Sequence, residues 1–177
     1  MSDVIKEDGL ISILPAKDEN LQGILDLQQI NLPKNLSTET MLDQGFVTIE
    51  HNYELLKSMN DIHPHAIALD GNHVIGYALA MDKSFASDIP FLVSLFERIS
   101  SLLLISNHND PLRFIVMGQV CIDENYRSQG IFGKLFQDLK DRLSDNYDSI
   151  FTDVATKNTR SIRAHKKVGF ESVEIFE

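Results

Sequence analysis

The second half of the chain alternates between segments with the pattern of strands and segments with the pattern of helices. Strands are predicted over RFIVMGQVCID, SIFTDVAT and FESVEIF, and helices over GIFGKLFQDLKDRLSD and NTRSIRAHKKVG. Such a series is typical of an α/β layer structure, in which helices cover a sheet. The first of these helices has one apolar face, which favours packing against that sheet. The face consists of Ile131, Leu135, Phe136, Leu139 and Leu143.

The first half adds further strands and helices. A strand is predicted at LISILPA, and it leads into the amphipathic helix KDENLQGILDLQQINL with Asp18 as a possible cap. Short helices are expected around a brief strand at FVTIE. In the segment HAIALDGNHVIGYALAM, two apolar runs flank DGN, which is typical of a tight hairpin between antiparallel strands.

An extra apolar helix is predicted near residues 90–105, in the segment IPFLVSLFERISSLLLIS. Ser87 or Asp88 would cap this helix, and Pro90 would lie in its first turn. Its apolar residues occupy more than one face, so it needs more than one neighbour. It could line a cleft for an acceptor or form the surface of a homodimer. Because Glu97 and Arg98 interrupt the short apolar run, we do not expect it to span a membrane.

Length and composition predict one domain over residues 1–177. The chain has 43% hydrophobic and 24% charged residues, which is close to ordinary globular proteins. It shows no repeat, low-complexity tract or linker that would divide it. Its formal charge of −10 repels polyanions, which argues against nucleic acid and anionic membranes as partners and favours partners that carry amines.

Cys121 is the only cysteine, so an internal disulfide and a metal site of several thiolates are excluded. No metal is expected. The first residues, MSDVIKEDGL, lack the basic and then apolar pattern of a signal peptide. A cytoplasmic location is the simplest expectation.

The stretch QVCIDENYRSQGIFGKL joins a strand to a helix through an arginine and a glycine. The amino end of a helix presents unpaired N–H groups and the positive end of its dipole, which together suit phosphate oxygens. Gly130 would let a ligand approach the backbone, and Arg127 would add a positive charge. The alternative is that Gly130 only completes a turn and that Arg127 is a solvated charge.

These residues resemble the GNAT superfamily of acyl-CoA-dependent N-acetyltransferases. RSQGIF is similar to the first signature of that family, and NTRSIRAHKKVGF is similar to its second. The second match places Asn158 at the start of a helix and His165 where the family usually has tyrosine. One departure is Phe132, which stands where the family usually has glycine or alanine. Ser161, Gly169 and Phe170 complete the second match.

The resemblance implies a GNAT-like fold, with a mixed central β-sheet flanked by helices. It implies transfer of an acetyl group from acetyl-CoA to an amine by direct attack in a ternary complex. Residues 127–133 would wrap the pyrophosphate of coenzyme A, and the strand before them would bind its pantetheine arm. The cofactor-binding residues so implied are Val120, Cys121, Ile122, Arg127, Ser128, Gln129, Gly130, Ile131, Phe132, Gly133 and Asn158.

His165 is the candidate acid that protonates the leaving thiolate, and its alternative is a partly buried histidine on the helix face. Asn158 could equally be a plain helix cap, and Cys121 a small core residue. The general base is not assigned, although Glu50 and His51 could face the acceptor. Tyr77 could line the acceptor cleft. A second class of function also stays open, which is an acyl-CoA-binding sensor without turnover.

Overall fold

The structure is a computed structural model that describes residues 10–44, 46–86, 90–105 and 113–176. Its strands are β1 (Ser12–Pro15), β2 (Ala66–Asp70), β3 (His73–Met81), β4 (Phe114–Ile122) and β5 (Ser149–Phe151). Its α-helices are α1 (Asp18–Ile30), α2 (Thr38–Gln44), α3 (Tyr53–Ile62), α4 (Pro90–Ile105), α5 (Ile131–Leu143) and α6 (Thr159–Lys167).

The five strands form one mixed sheet in the order β1, β2, β3, β4, β5. The first three pairs are antiparallel, and β4 pairs with β5 in parallel. The hairpin predicted at DGN is present, because Asp70 pairs with His73 and Gly71 has a φ of 58°. The α/β fold with a mixed sheet is therefore confirmed.

Helices cover both faces of this sheet, which explains why β3 is apolar along almost its whole length. On one face, α5 buries Ile131, Leu135, Leu139 and Leu143, as the sequence predicted. On the other face, α1, α3 and α4 contribute one apolar cluster. Alternate residues of β3 belong to the two clusters, as expected for a strand between two layers. The extra apolar helix near residues 90–105 is present as α4.

The parallel pair of β4 and β5 is short. Its ladder joins only Phe114–Val116 to Ser149–Phe151. Beyond it, the Thr152 side chain donates a hydrogen bond of 3.0 Å to the Met117 carbonyl. A bulge then follows at Gly118, where the register between β3 and β4 shifts. A Cβ at Gly118 would overlap the terminal methyl group of Met81, so any larger residue here would require that flexible side chain to shift. The last residues of β4 therefore have one edge that no described strand covers.

Three local predictions differ from the structure. FVTIE joins no strand: side chains bond its Phe46 and Ile49 carbonyls, and its Val47 amide bonds the Asn31 carbonyl, as described below. FESVEIF also joins no strand, and its Phe176 ring instead packs under the Arg98 guanidinium at 4.3 Å. Lys17, not Asp18, caps α1, and the Asn20 side chain accepts its backbone N–H at 2.9 Å.

The cap predicted at Ser87 or Asp88 lies outside the described residues. Within the described ranges, no helix has the length and apolar character needed to cross a membrane.

Candidate active site

A cleft of about 610 Å³ opens where β4 separates from β5. Its walls are the end of β4, the loop that leads into α5, the first turn of α5 and one face of α6. All of the predicted cofactor-binding residues except Gln129 line it, so the structure brings the two signature segments together. The lining residues among those predicted are Val120, Cys121, Ile122, Arg127, Ser128, Gly130, Ile131, Phe132, Gly133 and Asn158.

The amino end of α5 faces this cleft. Gly130 is its N-cap with a φ of 77°, a left-handed conformation that favours glycine. No atom outside its chain neighbours lies within 4 Å of a Cβ built on Gly130, so the approach to the backbone is open. The first bond of the helix runs from the Lys134 amide to the Gly130 carbonyl at 3.2 Å. The amides of residues 131–133 have no acceptor among the described residues and can donate to a ligand.

Arg127 is half-buried on the wall of the cleft. Its Nε donates to the Ile122 carbonyl at 2.9 Å, and its Nη2 donates to Asn31 Oδ1 at 3.0 Å. These bonds fix the guanidinium plane and tie the loop before α5 to the end of α1. Sequence reasoning missed Asn31, because nothing in the local pattern links two residues so far apart in the chain.

The second signature residue, Asn158, is both a helix cap and a link across the cleft. Its Oδ1 accepts the Ser161 amide at 3.2 Å, which confirms the capping role. Its Nδ2 donates to the Phe46 carbonyl at 3.2 Å. The Val47 amide in turn donates to the Asn31 carbonyl at 3.1 Å. Residues 46 and 47 thereby form part of the cleft wall.

His165 does not line the cleft. It is buried between the rings of Phe132 and Phe170, with ring centroids at 4.8 and 5.2 Å. Its Nδ1–H donates to the Ser161 carbonyl at 2.8 Å, so Nε2 of the neutral ring carries a lone pair. Nε2 has no partner among the described residues. Burial lowers the pKa of His165, which favours this neutral form.

Phe132 separates His165 from the cleft. Its ring takes the space that glycine or alanine would leave empty, and it contacts both the cleft and the apolar cluster beneath α5. Because Phe132 stands where the family signature has glycine or alanine, its ring covers part of His165. Gly133, the next residue, faces Val168 of α6, whose Cγ1 would lie at an ordinary contact distance of 3.7 Å from an added Cβ.

Cys121 and Tyr77 face each other across β4 and β3. Burial raises the pKa of the Cys121 thiol to about 12, so the thiol stays protonated at neutral pH. Tyr77 is fully buried, and burial also raises its pKa. Its hydroxyl donates to Gln119 Oε1 at 2.6 Å, and Gln119 donates to the Ile49 carbonyl at 2.8 Å. Tyr77 therefore supports the segment beside the cleft and does not line it.

The two candidate bases are held by local partners. Glu50 is exposed and bonded to Lys34 at 2.7 Å and to Gln29 at 2.7 Å, and its bond with Gln29 is the largest cause that lowers its pKa. His51 is buried, its Nδ1 lies 2.9 Å from Gln28 Oε1, and burial lowers its pKa to about 4. Neither residue lines the cleft.

A row of positive side chains on α6 also lines the cleft, and sequence reasoning did not single it out. The row consists of Arg160, Arg163 and Lys167. Their spacing of three and four residues places them on one helix face, so the signal was present in the sequence.

A mixed five-stranded sheet flanked by helices, with β4 and β5 parting beside the amino end of α5, is the GNAT-like fold that the sequence predicted, and the comparisons agree with that class. The model of the acetyltransferase (GNAT) family matches residues 24–170. The chain belongs to this family of enzymes. Among the described residues, no cluster of three or more His, Cys, Asp or Glu could hold a metal ion.

Solved structures share the fold at low sequence identity. The aminoglycoside acetyltransferase AAC(6')-Iy, in complex with a bisubstrate analogue of CoA, is 16% identical with a TM-score of 0.60, covering 94% of this chain and 95% of that chain. The aminoglycoside acetyltransferase meta-AAC0020 from an uncultured soil metagenomic sample, with sisomicin, is 13% identical with a TM-score of 0.58, covering 96% of each chain.

The NatC complex bound to Gag peptide and CoA contains a chain that is 17% identical with a TM-score of 0.60. The match covers 93% of this chain and 86% of that chain. A search of curated protein sequences finds no match. At these identities, the likeness supports the fold and leaves the acceptor undefined.

Proposed function

We propose that this chain transfers an acetyl group from acetyl-CoA to an amine by direct attack in a ternary complex. The observation that carries the proposal is the open amino end of α5, which faces a cleft that also exposes the edge of β4 that no described strand covers. Such an arrangement offers donors for phosphate at one end and backbone groups for an amide-containing arm along the strand.

The residues of the cleft fit coenzyme A as the acyl-donor substrate. The amides of residues 131–133, which have no acceptor in the described part of the chain, would donate to its diphosphate, and Arg127 would bring positive charge to the same place. The apolar side chains of Val120 and Ile122 suit the pantetheine arm. Phe132 occupies part of the space beside the first turn of α5, and Gly130 remains accessible.

Direct transfer requires a neutral amine, because only the neutral form has a lone pair for attack. A lysine-like amine with a pKa of about 10.4 is protonated at neutral pH and must first lose that proton. The amine nitrogen bonds to the carbonyl carbon of the thioester, and the bond from that carbon to sulfur breaks. The amine loses one proton, and the thiolate of CoA takes one up. Backbone N–H groups on the open edge of β4 would stabilise the carbonyl oxygen as negative charge develops on it.

No side chain is assigned as the general base. A covalent cysteine intermediate is disfavoured, because Cys121 is buried and protonated. His165 is retained as the proposed proton donor to the thiolate. That role requires His165 first to take up a proton at Nε2, which carries a lone pair in the neutral ring. It also requires access to the cleft, which Phe132 lines and His165 does not.

The acceptor is proposed to be a small-molecule amine or a protein amine. Solved structures that share the fold were obtained with an aminoglycoside and with a peptide. The formal charge of −10 on this chain favours the approach of a cationic acceptor at long range. A single domain over residues 1–177, a cytoplasmic location and a homodimer remain predictions.

A sensor that binds acyl-CoA without turnover is the second candidate. It is supported by one observation, which is that His165, Glu50 and His51 are each held by local partners and none lines the cleft.

Release of free thiol from acetyl-CoA across a panel of amines tests the two candidates. We expect thiol release that depends on the amine, together with saturable binding of CoA in calorimetry. Saturable binding without thiol release for any amine would favour the sensor. Absence of binding would contradict both.

A further inference from the structure

The row of positive side chains on α6 brings more positive charge to the cleft than the diphosphate of the proposed ligand needs. The chain has 26 acidic and 16 basic residues, yet the cleft is lined by four basic side chains and, among the described residues, by no acidic one. Arg127 and the amino end of α5 already face the diphosphate. The remaining three, Arg160, Arg163 and Lys167, all lie on α6.

Two features of this row oppose the stability of α6, although Lys167, in the last turn, interacts favourably with the helix dipole. No acidic residue lies between Thr159 and Lys167. Arg160 lies in the first turn, where the helix dipole disfavours positive charge. Like charges three and four residues apart, as in Arg163 and Lys167, also destabilise a helix. Neither Arg163 nor Lys167 forms a salt bridge with a carboxylate in the described part of the chain. An anionic ligand would offset these unfavourable interactions.

The course of α6 along the cleft indicates which end of the ligand these positive side chains would contact. α6 begins at Asn158, beside Phe46, and ends at Val168, beside Gly133 of α5. At 1.5 Å per residue, these ends are roughly 15 Å apart. Lys167 therefore lies beside the phosphate-binding end, and Arg163 lies one turn away. Both side chains are exposed and can reach outward from the diphosphate.

We infer that Arg163 and Lys167 bind the 3′-phosphate of coenzyme A and so make this enzyme discriminate against donors that lack it. This inference rests on the proposed function. A phosphate monoester carries a charge of about −1.5 to −2 at neutral pH, which matches a pair of cations one helical turn apart. The alternative source of negative charge, a carboxylate on the acyl group, would lie at the opposite end of the cleft.

Calorimetry with CoA and with 3′-dephospho-CoA tests the inference without knowledge of the acceptor. We expect the protein to bind CoA about tenfold more tightly or better, the lower limit for charge-assisted hydrogen bonds. In the double variant Arg163→Gln/Lys167→Gln, the ratio of the two dissociation constants should fall close to one. Lys166→Gln is the matched control, since Lys166 is an exposed neighbour on α6 that does not line the cleft.

The possible failures are distinct. Equal affinity of the unaltered protein for both ligands overturns the inference and leaves the proposed function intact, whereas absence of CoA binding overturns the proposed function. Equal weakening of both ligands in the double variant would show that the cations contact the diphosphate. A double variant that loses preference for succinyl-CoA over acetyl-CoA, but retains 3′-phosphate discrimination, would assign them to an acyl carboxylate. Either result overturns the inference.

Discussion

The side-chain amide of Asn158 donates a hydrogen bond of 3.2 Å to the backbone carbonyl of Phe46, across the cleft from one signature segment to the first half of the chain. The same side chain caps α6 through the Ser161 amide. One asparagine thus organises both the helix and the segment beside it, and its two contributions can be separated by substitution.

Asn158→Ser should keep the cap and lose the bond to Phe46, because a serine oxygen can cap a helix but is too short to reach Phe46. Asn158→Ala should lose both. We expect each step to lower the free energy of unfolding by about 1 kcal/mol, measured by urea denaturation. Equal stability of the serine and alanine variants would contradict a capping contribution.

Arg127→Ala should weaken CoA binding by roughly 1.5 to 3 kcal/mol, the range for hydrogen bonds to charged groups. Loss of the guanidinium also removes the hydrogen bond that ties the loop before α5 to Asn31. Calorimetry with CoA measures the change. Arg113→Ala is the control, since Arg113 pairs with Asp148 at 2.9 Å and does not line the cleft. If the Arg127 variant binds as tightly as the control, its phosphate role is wrong.

His165→Phe tests the proposed acid. We expect a lower kcat for amine-dependent thiol release with little change in the dissociation constant of CoA, because the proposed role lies in the departure of the thiolate. A phenylalanine preserves the ring contacts with Phe132 and Phe170. Unchanged kcat, accompanied only by lower thermal stability, would identify His165 as a packing residue.

Cys121→Ala should leave kcat within about twofold of the unaltered enzyme, since the thiol is buried and its pKa is raised to about 12. In the folded protein at pH 8, the thiol should react with a disulfide reagent much more slowly than in the unfolded protein. An acetylated Cys121 detected by mass spectrometry during turnover would contradict direct attack.

Acid should destabilise the protein through His65. Its Nδ1 accepts the Ala80 amide at 3.2 Å, its Nε2 lies 3.2 Å from the Leu56 carbonyl, and burial lowers its pKa to about 3. The unfolded chain, with a histidine pKa near 6.5, binds this proton first. The stability that His65 contributes is therefore complete above pH 6.5 and is lost as the pH falls towards 3.

At about 1.4 kcal/mol per pKa unit, this loss amounts to a few kcal/mol. Urea denaturation between pH 7 and pH 4 measures it. His65→Gln should have a smaller loss of stability over this interval than the unaltered protein, whereas His73→Gln, at an exposed position, should match the unaltered protein. Identical pH dependence in the His65 variant would show that His65 does not contribute to the acid sensitivity.

Local sequence signals predicted the parts of the site that depend on local physics. Gly130 before an apolar periodic segment indicated the amino end of α5, and the structure places it there with a positive φ. Asn158 before α6 indicated a cap, and its Oδ1 is the capping acceptor. Residues Arg160, Arg163 and Lys167 carried an equally local signal, which is their spacing on one helix face.

Contacts between distant parts of the chain could not be predicted in this way. The bond between Arg127 and Asn31 joins residues 96 positions apart, and neither local pattern specifies the other. FVTIE has the alternation of a strand, but Gln119 and Asn158 bond two of its carbonyls in place of a neighbouring strand. The position of His165 behind Phe132 likewise depends on how α5 and α6 meet.

The ladder between β4 and β5 joins only three pairs of residues, whereas β3 and β4 pair along most of their length. Backbone hydrogen bonds are thus numerous between β3 and β4 and few between β4 and β5. Local opening requires the fewest backbone hydrogen bonds to break between β4 and β5. A ligand that contacts both the end of β4 and the face of α6 would connect the two sides of the cleft, and we expect its binding to slow hydrogen exchange in β5 more than in β3.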